Sequence, residues 1–180
     1  MKELSLNILD ITENSLKAGS SLTEIAIEEN GTVLNLMIRD NGCGMSEDMV
    51  RSVTDPFCTT RTTRKVGLGL PLLKLAAEQT GGNISITSDT AENHGTTVTA
   101  VFDMSHIDFT PIGDIVSTMT TLIQGHPDSD FCFSHKTEKG AVSLDTRELR
   151  AVLEGVPLDS YEVIKWIEEY LREQYIDLNK

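Results

Sequence analysis

Apolar positions across residues 4–18 recur at spacings of three and four, with Leu4, Ile8 and Ile11 on one line and Leu9, Thr12 and Leu16 on the next. Asn7, Asp10, Asn14 and Lys17 repeat with the same period as a polar stripe, so an amphipathic helix is expected, closed by Gly19. The period then drops to two. Ile25 and Ile27 alternate with polar residues over 23–29, as do Leu34, Leu36 and Ile38 over 32–39, and Asn30-Gly31 between them is a strong hairpin signal. Ser46, Met49, Val50 and Val53 suggest a short helix that cannot pass Asp55-Pro56. A second long helix is expected over 70–79, with Pro71 in its first turn and Gly81-Gly82 after its end. Ile84 and Ile86, then Val98, Ala100 and Phe102, read as two further strands around a polar turn at 90–95. Helices interleaved with a largely antiparallel sheet covered on one face predict an α+β, two-layer α/β sandwich.

Residues 105–180 change character. They carry 7 basic and 14 acidic residues, a net of −7 against −6 for residues 1–104. Two short strands (131–134 and 141–144) are expected around Glu138-Lys139-Gly140, and Asp145-x-x-Glu148 and Asp159-x-x-Glu162 resemble capping boxes opening helices. Ile164, Ile167 and Leu171 line the last helix, on which Trp166 and Tyr170 are expected to pack. The reading is thus a domain over 1–104 and a small acidic α/β appendage over 105–180, the latter a partner or packing module.

Charge and composition narrow the function. With 15 basic and 28 acidic residues the chain carries −13, which argues against nucleic-acid binding, since phosphate contacts need a dense positive face. No apolar run approaches the roughly 20 residues that span a bilayer. Glu3 and Asp10 interrupt any leader-like stretch, and three cysteines at no metal-ligand spacing read as reduced thiols. A cytoplasmic protein is expected.

Three clusters carry candidate chemistry. Asp10 and Asn14, four apart, share one helical face; the carboxylate suits orienting a nucleophile and the carboxamide oxygen suits magnesium, although a solvated helix face has the same look. Asp40-Asn41-Gly42-Cys43-Gly44-Met45 follows a strand, where a carboxylate can accept from an exocyclic amine such as that of adenine and glycines admit a flat ligand; a plain turn is the alternative. Residues 56–77 contain no Asp or Glu but hold Thr59, Thr60, Arg61, Arg64, Lys65 and Lys74, with Gly67-Leu68-Gly69-Leu70 entering a helix. Hydroxyls, cations and a glycine-rich helix start suit a polyphosphate, and a surface loop is the simpler reading of the stretch alone. No Gly-x-x-x-x-Gly-Lys-Ser/Thr loop occurs.

In this order and spacing the segments resemble the GHKL ATPases, the superfamily of gyrase, heat-shock chaperones, histidine kinases and MutL. Residues 9–19 (Leu-Asp-Ile-Thr-Glu-Asn-Ser-Leu-Lys-Ala-Gly) are similar to the N box, 39–45 to the G1 box, 55–61 to the histidine-kinase F box and lid, 65–74 to the G2 box, and 94–98 to the last glycine motif. The resemblance spans about residues 4–104. It implies an ATP site contacted by Asn14, Asp40, Gly42, Gly44, Met45, Thr59, Thr60, Arg61, Lys65, Gly67, Leu68, Gly69, Leu70 and Thr96. Within that set Asp40 would read the adenine amine, Gly44 would leave room beside the base and Thr96 would sit under it. Asn14 would hold Mg2+, and Thr60, Arg61, Lys65 and the amides of 67–70 would close over the phosphates. Asp10 stands where hydrolysing members carry a glutamate base.

The departures shape the expected activity. Asp10 is one methylene shorter than glutamate, so weak hydrolysis is expected, with Glu13 a possible substitute one position off the face. None of His94, His106, His126 and His135 lies on a helix suited to autophosphorylation; the last three read as exposed, and His94 lies in the turn before the last glycine motif. Two functions follow: phosphoryl transfer to an unidentified partner protein or slow hydrolysis of Mg-ATP, or a non-catalytic nucleotide-gated binding switch. With no strand before the first helix, an open sheet edge that a second copy could cover is also expected, which would allow a homodimer.

Overall fold

A computed structural model describes residues 2–54 and 68–179. The elements, in chain order, are α1 (Leu4–Lys17), β1 (Leu22–Asn30), β2 (Val33–Asp40), α2 (Glu47–Val53), α3 (Gly69–Gln79), β3 (Asn83–Asp89), β4 (Gly95–Asp103), α4 (Ile115–Gly125), β5 (Asp130–Thr137), β6 (Gly140–Asp145), α5 (Thr146–Leu153) and α6 (Tyr161–Leu178). The strands form one six-stranded sheet in the order β3-β4-β2-β1-β5-β6. Every neighbouring pair is antiparallel except β1 and β5.

One face of the sheet is apolar because the strands alternate. Ile25, Ile27, Leu34, Leu36, Ile38, Val98, Ala100, Phe102, Phe131, Phe133, Val142 and Leu144 are all buried. They meet the inward faces of α1, α3, α4 and α6, so the predicted two-layer sandwich forms around a single apolar cluster. The opposite face carries Glu24, Arg39, Thr87 and Thr97 and has no helix packed across it among the described residues.

The sheet and its core continue past residue 104 rather than stopping there. β5 adds to β1 in parallel register, Ile25 opposite Phe133, so the edge expected to be open to a second copy is filled by this chain's own strand. α4 is an element that the sequence reading did not anticipate: Ile115, Val116, Met119, Leu122 and Ile123 are buried at helical spacing, and Asp114 accepts from the Ser117 amide as its N-cap. Asp145 caps α5 as expected, accepting from the Arg147 amide. The second capping box is displaced by one: Ser160, not Asp159, is the N-cap of α6, and its side chain makes no capping bond.

Three expectations about side chains are corrected. His135 is 5% exposed, with Nε2 against Glu29 Oε1 at 3.0 Å and Nδ1 against the Tyr175 hydroxyl at 2.9 Å. Burial, and then the charge of Glu29, push the Tyr175 hydroxyl well above its usual range. His126 is half-buried against Glu13 at 2.9 Å. Trp166 and Tyr170 stack on each other at the surface rather than in the core. No described helix is long and apolar enough to cross a membrane.

Candidate functional site

The strand registers align Thr23, Asp40, Thr96 and Ser88 in one row at the end of the sheet, on its helix-covered side. Asp40 lies where β2 ends. Its Oδ2 accepts from Ser15 Oγ of α1 at 2.7 Å and its Oδ1 from the Gly42 amide at 2.9 Å. An ionised carboxylate offers about four acceptor directions, so this anchored group can still accept from a ligand. Thr96 Oγ1 meets Ser88 Oγ at 2.8 Å in the same row.

The loop after Asp40 is tied on two sides. Asn41 Oδ1 accepts from Ser20 Oγ and from the amides of Ser21 and Leu22, and the Cys43 amide donates to the Ala18 carbonyl. Toward the β3–β4 turn, His94 Nδ1 contacts the Gly42 carbonyl at 2.6 Å and the Met45 amide donates to Ser88 Oγ at 2.7 Å. Gly44 takes φ +72°, and a Cβ there would run into the Asp89 carbonyl, while one at Gly95 would run into the Asp40 carbonyl. The glycines let two backbones touch. The room Gly44 leaves on that side is filled by β3, so it is not free for a ligand.

Asp10 and Asn14 project from α1, the first exposed and the second half-buried, and neither side chain has a partner among the described residues. Gly69 opens α3 directly against Asp10: a Cβ on it would come within 3.1 Å of Asp10 Cβ and 3.8 Å of Asp10 Oδ2. The N-cap of α3, Leu68, provides no side-chain acceptor, so among the described residues the amides at the start of this helix of 11 residues have no side-chain cap. An uncapped helix start favours an anion, and the neighbouring carboxylate favours a cation beside it. Magnesium holding phosphates needs only one or two protein oxygens, so Asn14, with Asp10 nearby, fits such a shared ion. No cluster of three or more His, Cys, Asp or Glu side chains suited to a resident metal occurs among the described residues.

The structure therefore gathers Asp10, Asn14, Asp40, Gly42, Gly44, Met45, Leu68, Gly69, Leu70 and Thr96 around α1, the start of α3 and one end of the sheet. Thr59, Thr60, Arg61, Lys65 and Gly67 lie outside the described residues. Glu13 points toward α4, where His126 holds it, so it is turned from the face that carries Asp10. Sequence reasoning passed over Ser15, Ser88 and the His94 contact. Ser15 adjoins Asn14, but which side of α1 meets β2 is set only by the packing. A cavity of about 580 Å3 opens at the same sheet end, where Asp40, Ser88, His94 and Thr96 line it together with residues of the reverse face. Its floor is the alternate row of Glu24, Arg39, Thr97 and Thr87, and it includes neither Asp10, Asn14 nor Gly69.

Residues 2–106 match the family model described as Histidine kinase-, DNA gyrase B-, and HSP90-like ATPase. The chain is 26% identical to Sporulation kinase B of Bacillus subtilis over 58% of its own length and 25% of that protein. It is 23% identical to the DNA mismatch repair protein MutL of Listeria monocytogenes over 83% of its length and 30% of that protein. Among solved structures, the Aquifex aeolicus MutL ATPase domain complexed with ADP superposes with a TM-score of 0.50 at 13% identity, covering 86% of this chain and 70% of that one. That likeness is one of fold. The chain spans about a quarter to a third of the length of these two curated relatives.

Proposed function

Because this chain belongs to the histidine kinase-, DNA gyrase B- and HSP90-like ATPases, we propose that it binds Mg-ATP and either passes the γ-phosphate to a partner protein or hydrolyses it slowly. The observation that carries the proposal is the Asp10–Asn14 pair, without a side-chain partner among the described residues, on the helix that sets Asp10 against Gly69 at the start of α3 and anchors Asp40 through Ser15. Asp40 accepts from the adenine amino group, with Thr96 beneath the base. The amides of 68–70 receive phosphate oxygens, and Thr59, Thr60, Arg61, Lys65 and Gly67 complete the phosphate side. Magnesium, when bound, neutralises phosphate charge and is held by Asn14. Asp10 orients and deprotonates the attacking hydroxyl, from water or from a partner side chain. Its short reach makes water a poor nucleophile and keeps intrinsic turnover low. ATP as ligand accords with a cytoplasmic location.

A nucleotide-gated switch is the second reading, and one observation favours it. Residues beyond 106 are bonded along the helix that bears Asp10 and Asn14: the amides of Leu4 and Ser5 donate to the carbonyls of Pro111 and Ile112, and Glu13 pairs with His126. A shift of α1 on nucleotide binding would thus reach the C-terminal segment. Incubation with γ-labelled ATP separates the readings. Label on a partner indicates transfer, free phosphate indicates hydrolysis, and saturable binding with neither indicates a switch. Absence of any adenine-nucleotide binding by calorimetry would end all three.

A further inference from the structure

The outer flank of α6 carries an unusual stripe. Glu162, Trp166, Tyr170 and Glu173 follow one another at spacings of four, four and three and so lie along one side of the helix. Trp166 and Tyr170 are 47% and 37% exposed and stack with ring centroids 4.8 Å apart at an interplanar angle of 11°. Glu162 and Glu173 are exposed and have no partner among the described residues. The helix's own cations are engaged elsewhere, Lys165 with Glu169 and Arg172 with Glu168 and Asp114. The helix packs beside β6, which pairs with β5 alone among the described residues. There Gln174 already accepts from the Ser143 amide at 3.0 Å and donates to its carbonyl at 3.1 Å. A partner strand could not pair at that point without breaking both bonds, so side chains rather than backbone must do the recognising.

We infer that this stripe docks an arginine-bearing, extended segment of a partner protein. A guanidinium stacks on the exposed face of the aromatic pair, where the ring quadrupole attracts a cation. Further arginines reach Glu162 and Glu173, which bracket the rings and can accept bidentately. The carboxylates stand 11 residues apart, about 16 Å along the helix, which an extended chain covers in about five residues. The chain's net charge of −13 steers such a segment toward it. An apolar partner would bury the carboxylates unpaired and an acidic one would be repelled. The inference stands apart from the ATP site, since none of these residues touches it.

Trp166 is the only tryptophan, so its emission reports on the stripe alone. The full chain, without nucleotide, is titrated with the peptide Gly-Arg-Ser-Arg-Ser-Gly-Arg-Gly. A saturable change in emission is expected, weakening several-fold as salt rises from about 50 to about 300 mM. Tyr170→Ser and the double variant Glu162→Gln/Glu173→Gln, each checked for folding by circular dichroism, should lose affinity by about tenfold or more. The remote acid-removing control Glu47→Gln/Asp48→Asn should bind within about twofold of the parent. Three results overturn the inference: no saturable change, equal loss in the control, or a concentration-dependent dimer that itself alters Trp166 emission. The last would make a second copy the occupant.

Discussion

Asp40→Asn changes one heavy atom and no volume, which makes it the sharpest probe of the nucleotide reading. The asparagine carbonyl can keep the Gly42 amide, leaving its NH2 against Ser15 Oγ in place of a carboxylate oxygen. Ser15 can then turn its proton to the Ile11 carbonyl, 3.3 Å away, and accept instead. The fold loses one charge-assisted bond, about 1 kcal/mol, which for a chain of this size lowers Tm by about 2–4 °C. An adenine ligand loses more. Its amino group forfeits a bond to a charged acceptor, about 1.5–3 kcal/mol, and faces a donor with nowhere to donate, about 1–3 kcal/mol further. Together these weaken binding by about two to four decades in Kd. Calorimetric titration with Mg-ADP avoids turnover and measures this directly. GDP supplies an internal check, since its C6 carbonyl can accept from the new amide and should lose far less. ADP affinity within about threefold of the parent would refute the assignment. A fall in Tm beyond about 10 °C would instead make Asp40 a residue of the fold.

Asp10→Asn should leave ADP affinity within about threefold while lowering phosphate release or transfer about a hundredfold or more, measured by a coupled phosphate assay or label transfer; collapse of affinity would give Asp10 a structural role. Gly44→Ala should cost about 2–4 kcal/mol in urea unfolding, because it combines φ +72° with a collision against the Asp89 carbonyl; a loss below about 0.5 kcal/mol would show that the loop yields. Asp145, held below the usual carboxylate range first by the Arg147 side chain and also by its amide, has a folded pKa under its unfolded one, so its stabilisation is complete above about pH 4 and lost as pH falls through the folded value. Asp145→Asn should therefore flatten the acid limb of Tm against pH, and an unchanged limb would exclude it as a contributor.

Periodicity made most elements legible because the sheet has one apolar face. Ile25, Ile27, Leu34, Leu36 and Ile38 sit where the alternation puts them. The hairpin turn moved by one residue, since Asn30 pairs with Val33 and Gly31 supplies the positive φ that the tight loop requires. α4 went unread because Thr118, Thr120 and Thr121 lower its helical propensity, while packing on α1 and α6 more than compensates. The burial of His135 could not be foreseen from its neighbours: its partners Glu29 and Tyr175 are 106 and 40 residues distant. The site was legible as motifs and illegible as a scaffold. Asp40 could be read from its place after a strand, but Ser15 and Ser88, which anchor the loop around it, become neighbours only through the register of β2, β3 and β4 against α1.

The same long-range dependence bears on what residues 105–130 do for the site. Alone, α1 would have only its own apolar face to fix its height and rotation, and Asp10 and Asn14 move with both. Pro111 and Ile112 hold its first turn, Thr118 Oγ1 donates to the Ser5 carbonyl at 3.4 Å, and His126 holds Glu13 in its third turn. Beyond its end, the Asp130 amide donates to the Ser21 carbonyl and leads into β5. These ties follow the length of α1 on the side away from α3, so they leave the Asp10 face open while fixing its position. A carboxylate with one methylene less reach than glutamate tolerates little displacement from its nucleophile. In the proposed reaction the acidic segment would therefore act through the helix it braces, since α4 packs on both α1 and α6.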